Sequence, residues 1–347
     1  MACKIAGLGT AVPPYKAEQA QLKKMTSLMF KEDVANLDRL LSIFDNACIE
    51  ARYLAQPLEW YAQAHSFAEA NARYLEVAPI LAEQAATAAI QAAGTDPAEI
   101  DAILFVSSTG IATPTIDGKL IQKLGLSRHT RRLPIWGLGC AGGIAGLARA
   151  AELARKTPQG KTLLVAVELC SLTFQRNDCS KSNIVGSGLF GDGAAAAILA
   201  ADGTGPEVLG SYSTLFDASE DVMGWDIVDS GFKVRFSRDI PAIVRKNLPS
   251  LVRKAGEFWK MDPATIRYYV AHPGGVKVLE AYADSLGLAK EQLAAAYHIL
   301  AAYGNMSSVS VLFVLQEFLH RQAATGDYGV MLALGPGFCA EQVLFRW

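Results

Sequence analysis

Apolar runs of strand length alternate with helix-periodic stretches along this chain, and that alternation restricts the folds it can adopt. DAILFVSST (101–109), RLPIWGL (132–138) and KTLLVAVELC (161–170) read as buried strands, with a helical pattern over 142–156 between the last two. The second half repeats the rhythm: strand IRYYVAHPGG (266–275), helix KVLEAYADSLGL, glycine turn YGNMSS, helix SVSVLFVLQEFLH and strand YGVMLALGPG (328–337). A spacing ties the two passages together. Ser107, where a strand ends, lies 33 residues before Cys140 at a glycine turn, and His272 lies 33 before Asn305. Strands joined through crossover helices predict an α/β protein of two similar halves. The polar, Gly-rich stretch at 202–206 is the expected boundary, dividing the chain into 1–204 and 205–347. Residues 4–10 predict a strand, 17–93 mostly helix ending in Gly-Thr-Asp-Pro, and GLFGDGAAAAILAADG (188–203) a tight turn before a strand.

The chain has 347 residues, 51% hydrophobic, enough to bury one large core or two fused ones. A formal net charge of −2 supplies no electrostatic case for nucleic acid or anionic lipid as a partner. The opening MACKIAGLGTAVPP is too short and too broken by Gly and Pro for a secretory h-region. No run approaches the ~20 apolar residues of a spanning helix, so a cytoplasmic protein without stable membrane insertion is expected. The six cysteines form no C-x-x-C pair, and no His/Cys/Asp cluster has ligand spacing, so no metal is expected. AGLGTAVP has Val12 where a dinucleotide fingerprint needs its third glycine, and TPQGKT has Arg155 where a phosphate loop needs its first.

WGLGCAGG places Cys140 at the first turn of a helix, where the macrodipole favours thiolate and the glycines leave room for a substrate. A small cysteine packed between strand and helix would fit the same stretch. In VAHPGG, His272 stands at the carboxyl end of a strand, where open α/β sheets build their sites. YGNMSS puts Asn305 at the start of the next helix, where it could also serve as an N-cap. Together the three can provide a nucleophile, a base that also carries positive charge, and an amide donor to a developing oxyanion.

The motifs WGLGCAGG, LFGDGAAA, AHPGG, YGNMSS and a closing GPG strand, in that order over nearly the whole chain, resemble the type III polyketide synthases. These are relatives of chalcone synthase on the thiolase fold, a layered αβαβα architecture. ELCSLTFQ, SEDVMGWD and ALGPGFCAE are most similar to bacterial enzymes that make long-chain alkylpyrones and alkylresorcinols. The resemblance implies that Cys140 is the acyl-accepting nucleophile and that His272 and Asn305 are its partners. Phe190 matches an aromatic gatekeeper, and Val234 stands where plant enzymes carry a second gatekeeping Phe, which widens the mouth of the cavity. Ser108, Thr109, Thr113, Cys170, Thr173, Gly186, Leu189 and Ser307 match cavity-lining positions, while Leu334 and Phe338 reshape the cavity floor. Arg39 aligns with a residue that holds coenzyme A phosphates, and Lys277 is a substitute for another.

The implied reaction is decarboxylative condensation of malonyl-CoA onto an acyl thioester held on Cys140, repeated, then cyclisation to alkylpyrone or alkylresorcinol products. Imidazolium and helix start together are expected to lower the thiol's pKa. Decarboxylation itself makes the nucleophile, so no cofactor is expected. The starter would come from acyl-CoA or an acyl carrier protein. A homodimer is implied, with Thr113 matching a residue lent across the interface. Two alternatives stand beside this reading: a single-condensation enzyme like ketoacyl synthase III, and a polyketide synthase using a short or aromatic starter.

Overall fold

In the computed structural model, which describes residues 2–156, 159–320 and 324–347, most of the apolar runs are strands of one nine-stranded sheet. The first half contains β1 (Lys4–Ala11), a small antiparallel pair of β2 (Tyr15–Glu18) and β3 (Ala51–Leu54), then β4 (Ile100–Val106), β5 (Arg131–Ile135), β6 (Lys161–Leu169) and β7 (Asp192–Ala200). The second contains β8 (Glu207–Leu215), a hairpin of β9 (Met223–Val228) and β10 (Gly231–Phe236), then β11 (Ile266–Ala271), β12 (Tyr328–Gly335) and β13 (Cys339–Arg346). The main sheet runs β11-β12-β13-β8-β1-β7-β6-β4-β5.

One ladder is built twice. β1 is antiparallel to β7, β7 antiparallel to β6, and β6 parallel to β4. Likewise β8 is antiparallel to β13, β13 antiparallel to β12, and β12 parallel to β11. The two half-sheets meet where Lys4 pairs with Glu207. There the Ile5 N–H donates to Pro206 at 3.0 Å and the Val208 N–H to Cys3 at 2.8 Å.

The helices of the first half are α1 (Gln19–Phe30), α2 (Leu37–Asn46), α3 (Leu58–Tyr61), α4 (Phe67–Ala93), α5 (Ile116–Lys123), α6 (Gly142–Lys156) and α7 (Lys181–Ser187). Those of the second are α8 (Ile240–Trp259), α9 (Val276–Leu286), α10 (Ala294–Tyr303) and α11 (Ser310–Leu319). A helix apolar around most of its circumference must be covered on most sides. That describes α6 and α11, which form the middle layer: α6 touches β4, β6 and β7 of one half-sheet and β8, β12 and β13 of the other, while α11 touches α6, β1, β7 and β11. On the outer faces, α4 lies over β1, β6 and β7, and α8, packed on α9, lies against β8. The order helix, sheet, helix, sheet, helix is thiolase-like. α4 begins with a reciprocal cap, the Ser66 N–H donating to Glu69 Oε2 at 2.8 Å and the Glu69 N–H to Ser66 Oγ at 3.3 Å.

Residues 17–93 are less uniformly helical than expected, because β3 interrupts them to pair with β2. Four residues, Ala51–Leu54, are too few to show a period of their own. β8, the β9–β10 hairpin and α8 resolve the mixed region after the boundary stretch.

Candidate active site

Both 33-residue spacings lead from the end of a β4-type strand to the turn before a central helix. Cys140 lies in a 3₁₀ turn, Gly139–Ala141, that runs directly into α6. Ser108, just past β4, anchors this turn, its Oγ accepting from the Gly139 N–H at 3.1 Å. The following glycines have a packing cause. A Cβ on Gly143 would stand 2.1 Å from the Ser308 carbonyl oxygen, so the start of α6 is pressed directly onto the segment that carries Asn305. Close approach of the two turns is what the small residues allow.

His272 extends from the end of β11, its N–H donating to Leu332 O at 2.8 Å. Its ring packs on Gly274, whose built Cβ would lie 3.7 Å from Nε2. Asn305 connects the groups: its Nδ2 donates to Gly274 O at 3.1 Å, and its Oδ1 accepts from the Ser307 N–H at 2.8 Å. The side chains of Ser307 and Asn305 both act on the Cys140 sulfur in the direction of thiolate. Ser307 does so from a left-handed backbone, φ 50°. Cys140, His272 and Asn305 are 7%, 3% and 4% exposed.

Burial governs the electrostatics. The Cys140 thiol is pushed up to about 11 by desolvation, against the Ser307 and Asn305 side chains that favour thiolate. Burial pulls His272 down to about 3, and neither ring nitrogen has a hydrogen-bond partner among the described residues. With no charge on His272, removal from water thus outweighs the influences at the sulfur that favour thiolate, and it opposes the lowered thiol pKa expected from the sequence.

Next to this cluster lies a cavity bordered by Cys170, Thr173, Gly186, Phe190 and Val234. A Cβ on Gly186 would touch both Phe190, at 3.4 Å, and Val234, at 3.6 Å, so the three positions meet. The cavity continues under α1 along Leu22, Met25 and Met29. Phe190, which borders it, forms a parallel backbone bridge with Asn305, and the neighbouring Leu189 carbonyl accepts from the Asn305 N–H at 2.9 Å.

Other expected positions lie elsewhere. Thr109 is turned to Glu168, donating to Oε2 at 2.9 Å, and with Thr173 borders a separate small pocket. Leu334 borders another pocket, with Tyr282 and Leu248, and Phe338 is buried against Phe216 with ring centroids 5.5 Å apart. Neither borders the cavity, since the turn between β12 and β13 packs against the Cys140 turn, where a Cβ on Gly139 would stand 2.8 Å from Pro336, rather than toward α1. Thr113 is exposed on its own chain. Arg39 on α2 and Lys277 on α9 are exposed.

Among the buried ionisable groups that sequence reasoning missed, three bear on this region. Glu168 accepts from the Ser108 N–H at 3.0 Å, from Thr109, and from the Ser308 hydroxyl at 2.7 Å, yet burial still raises it to about 7. Asp192 accepts from Ser171 and from the Ala55 N–H, and is raised to about 6. Arg52 is the third, 1% exposed. A lone carboxylate inside the apolar run KTLLVAVELC was the available signal for Glu168.

The fold places the chain in the thiolase-like class, and on it Asn305 links the Cys140 turn to Gly274, against which the His272 ring packs. Residues 2–203 match the model for the N-terminal domain of chalcone and stilbene synthases, and residues 207–347 the model for the C-terminal domain. The chain belongs to this family, the type III polyketide synthases. It is 42% identical to a chalcone synthase-like protein of Bacillus subtilis, over 99% of this chain and 98% of the relative. It is 39% identical to a 1,3,6,8-tetrahydroxynaphthalene synthase of Streptomyces peucetius, covering 99% and 93%. The solved tetrahydroxynaphthalene synthase of Streptomyces coelicolor superposes with a TM-score of 0.95 at 29% identity, covering 99% of each chain.

Proposed function

We propose that this polyketide synthase extends a long-chain acyl starter with malonyl-CoA two or three times and releases alkylpyrone or alkylresorcinol products. The observation that carries the reading is the cavity beside Phe190. Val234 borders it opposite Phe190 with a smaller side chain than an aromatic ring, and its far wall is apolar side chains of α1, two of them methionines that adapt to a flexible chain.

In this reading Cys140 and His272 act as a pair. Neither charge is favourable alone in the buried site, but moving the thiol proton to the imidazole creates both together. The sulfur attacks the acyl carbonyl carbon, the bond to the coenzyme A sulfur breaks, and the departing thiolate takes the proton from His272. Malonyl-CoA then loses carbon dioxide, and the electrons of the broken C–C bond pass into an enolate. His272 and the second Nδ2 hydrogen of Asn305 donate to its oxygen. The enolate carbon attacks the acyl group on Cys140 and releases the sulfur, and the extended chain returns to it for the next cycle. Arg39 and Lys277 are the cations proposed for the coenzyme A phosphates.

The two relatives named as tetrahydroxynaphthalene synthases favour a second reading, in which the chain would make that naphthalene product instead. Incubating pure enzyme with acyl-CoAs of graded length and labelled malonyl-CoA separates the readings by product mass. Long starters carrying two or three added units are expected. A starter-free aromatic product would establish the second reading, and products with one added unit a single-condensation enzyme.

We also propose a homodimer formed at β5, which pairs with β4 at the edge of the sheet. Leu133 on β5 and the neighbouring Trp136 and Ile111 are 40%, 50% and 44% exposed, an apolar patch on an open sheet edge.

A further inference from the structure

Arg52, on β3, is a cation buried at 1% exposure on the border of the cavity beside Phe190. Among the described residues no carboxylate forms an ion pair with it, and Asp192 acts on it only at longer range. Its guanidinium makes two hydrogen bonds, Nη1 to Phe190 O at 2.7 Å and Nη2 to Gln19 Oε1 at 3.0 Å, while Nε has no partner. A buried charge so thinly compensated destabilises a fold, and an apolar side chain would fill the same space without that penalty. Its contacts point to what the charge accomplishes.

Phe190 lies on the short segment that brackets Asn305. The Asn305 N–H donates to Leu189 O at 2.9 Å and the Gly191 N–H donates to Asn305 O at 3.0 Å. Arg52 holds the carbonyl between those two bonds. Gln19, which Arg52 also grips, steadies the same segment by donating from Nε2 to Gly188 O at 2.9 Å. The aliphatic stem of Arg52 supports the other side. It runs beneath Gly304, where a Cβ would stand 2.7 Å from Arg52 Cδ, and Gly304 has φ 68°. The backbone on both sides of the Asn305 carboxamide therefore rests on one side chain.

We propose that Arg52 is a positioning residue for decarboxylation: by holding the Phe190 carbonyl and backing Gly304, it sets the aim of the Asn305 amide. This rests on the reading of Asn305 as a donor to the malonyl-derived enolate. A misaimed donor weakens enolate stabilisation far more than thioester exchange on Cys140, whose sulfur keeps the stronger influence of Ser307, so the two half-reactions should separate.

The test compares malonyl-CoA decarboxylation, as kcat and KM, with single-turnover acylation of Cys140 by acyl-CoA followed by intact mass. Arg52→Lys keeps the charge but loses the planar fork, and Arg52→Met keeps only the stem. Both are expected to lower decarboxylation kcat about 10- to 100-fold, less than the ~10²–10³ for outright loss of such a donor. KM should change little and acylation should stay within about twofold. Gln19→Leu, which removes one anchor of the guanidinium, should show the same split at about threefold, and it decides the matter should the Arg52 variants fail to fold. Parallel loss of both half-reactions, or unchanged decarboxylation in folded variants, would overturn the proposal. Asn305→Ala is the control. If it spares decarboxylation, the donor reading itself fails. If it abolishes decarboxylation while Arg52→Lys and Gln19→Leu do not reduce it, only the role of Arg52 is refuted.

Discussion

Neither Cys140 nor His272 is stable as an isolated charge where it stands, since burial holds the thiol near 11 and the imidazole near 3. A raised thiol pKa favours the protonated form, so thiolate at neutral pH depends on a nearby group that takes up the proton. In His272→Gln that group is gone. Alkylation of Cys140 by iodoacetamide at pH 7 is then expected to fall about 10- to 100-fold, one to two pKa units of thiolate population. The rate should climb only as the pH approaches the raised value. Equal alkylation rates in variant and wild type between pH 6 and 8 would show that the ring takes no part in ionising the sulfur.

Glu168 connects three elements, since the end of β4, β6 and the turn before α11 all meet at its carboxylate. Its pKa is raised from 4.5 to about 7, so the folded state binds a proton that the unfolded chain has released. The stability this contributes is complete below pH 4.5 and is lost as the pH rises through about 7. Glu168→Gln cannot ionise, so its melting temperature should improve relative to wild type between pH 5 and 8. Parallel melting curves across that range would refute a buried carboxyl that resists ionisation. The β9–β10 hairpin has its own test through Val234, which faces Gly186 and the cavity. Val234→Phe should lower kcat/KM for long acyl-CoAs by about tenfold or more and affect short ones less. An equal loss for all starters would place the acyl chain elsewhere.

Across the whole molecule, the exposed apolar residues beside β5 predict that Trp136→Glu with Leu133→Glu shifts the protein from dimer to monomer in light scattering. A dimer that survives both charges would move the interface to another face. Read alone, the chain dictates the alternation of strands and helices, the pairing of its halves and, through five short motifs, the family. Those features are local, written in periodicity and in glycine-flanked turns. Cys140, His272 and Asn305 could be picked out because each sits at such a turn. Distant contacts left no comparable trace. Nothing near Gly143 announces that the Ser308 carbonyl will stand where a side chain would go, and nothing near Arg52 foretells Phe190 or Gly304. Phe338, expected at the cavity floor, turned into the core against Phe216. Burial was likewise settled only by packing, and it sets a desolvation cost against an isolated thiolate at Cys140, because the cost of leaving water depends on everything that surrounds a group and not on its neighbours in the chain.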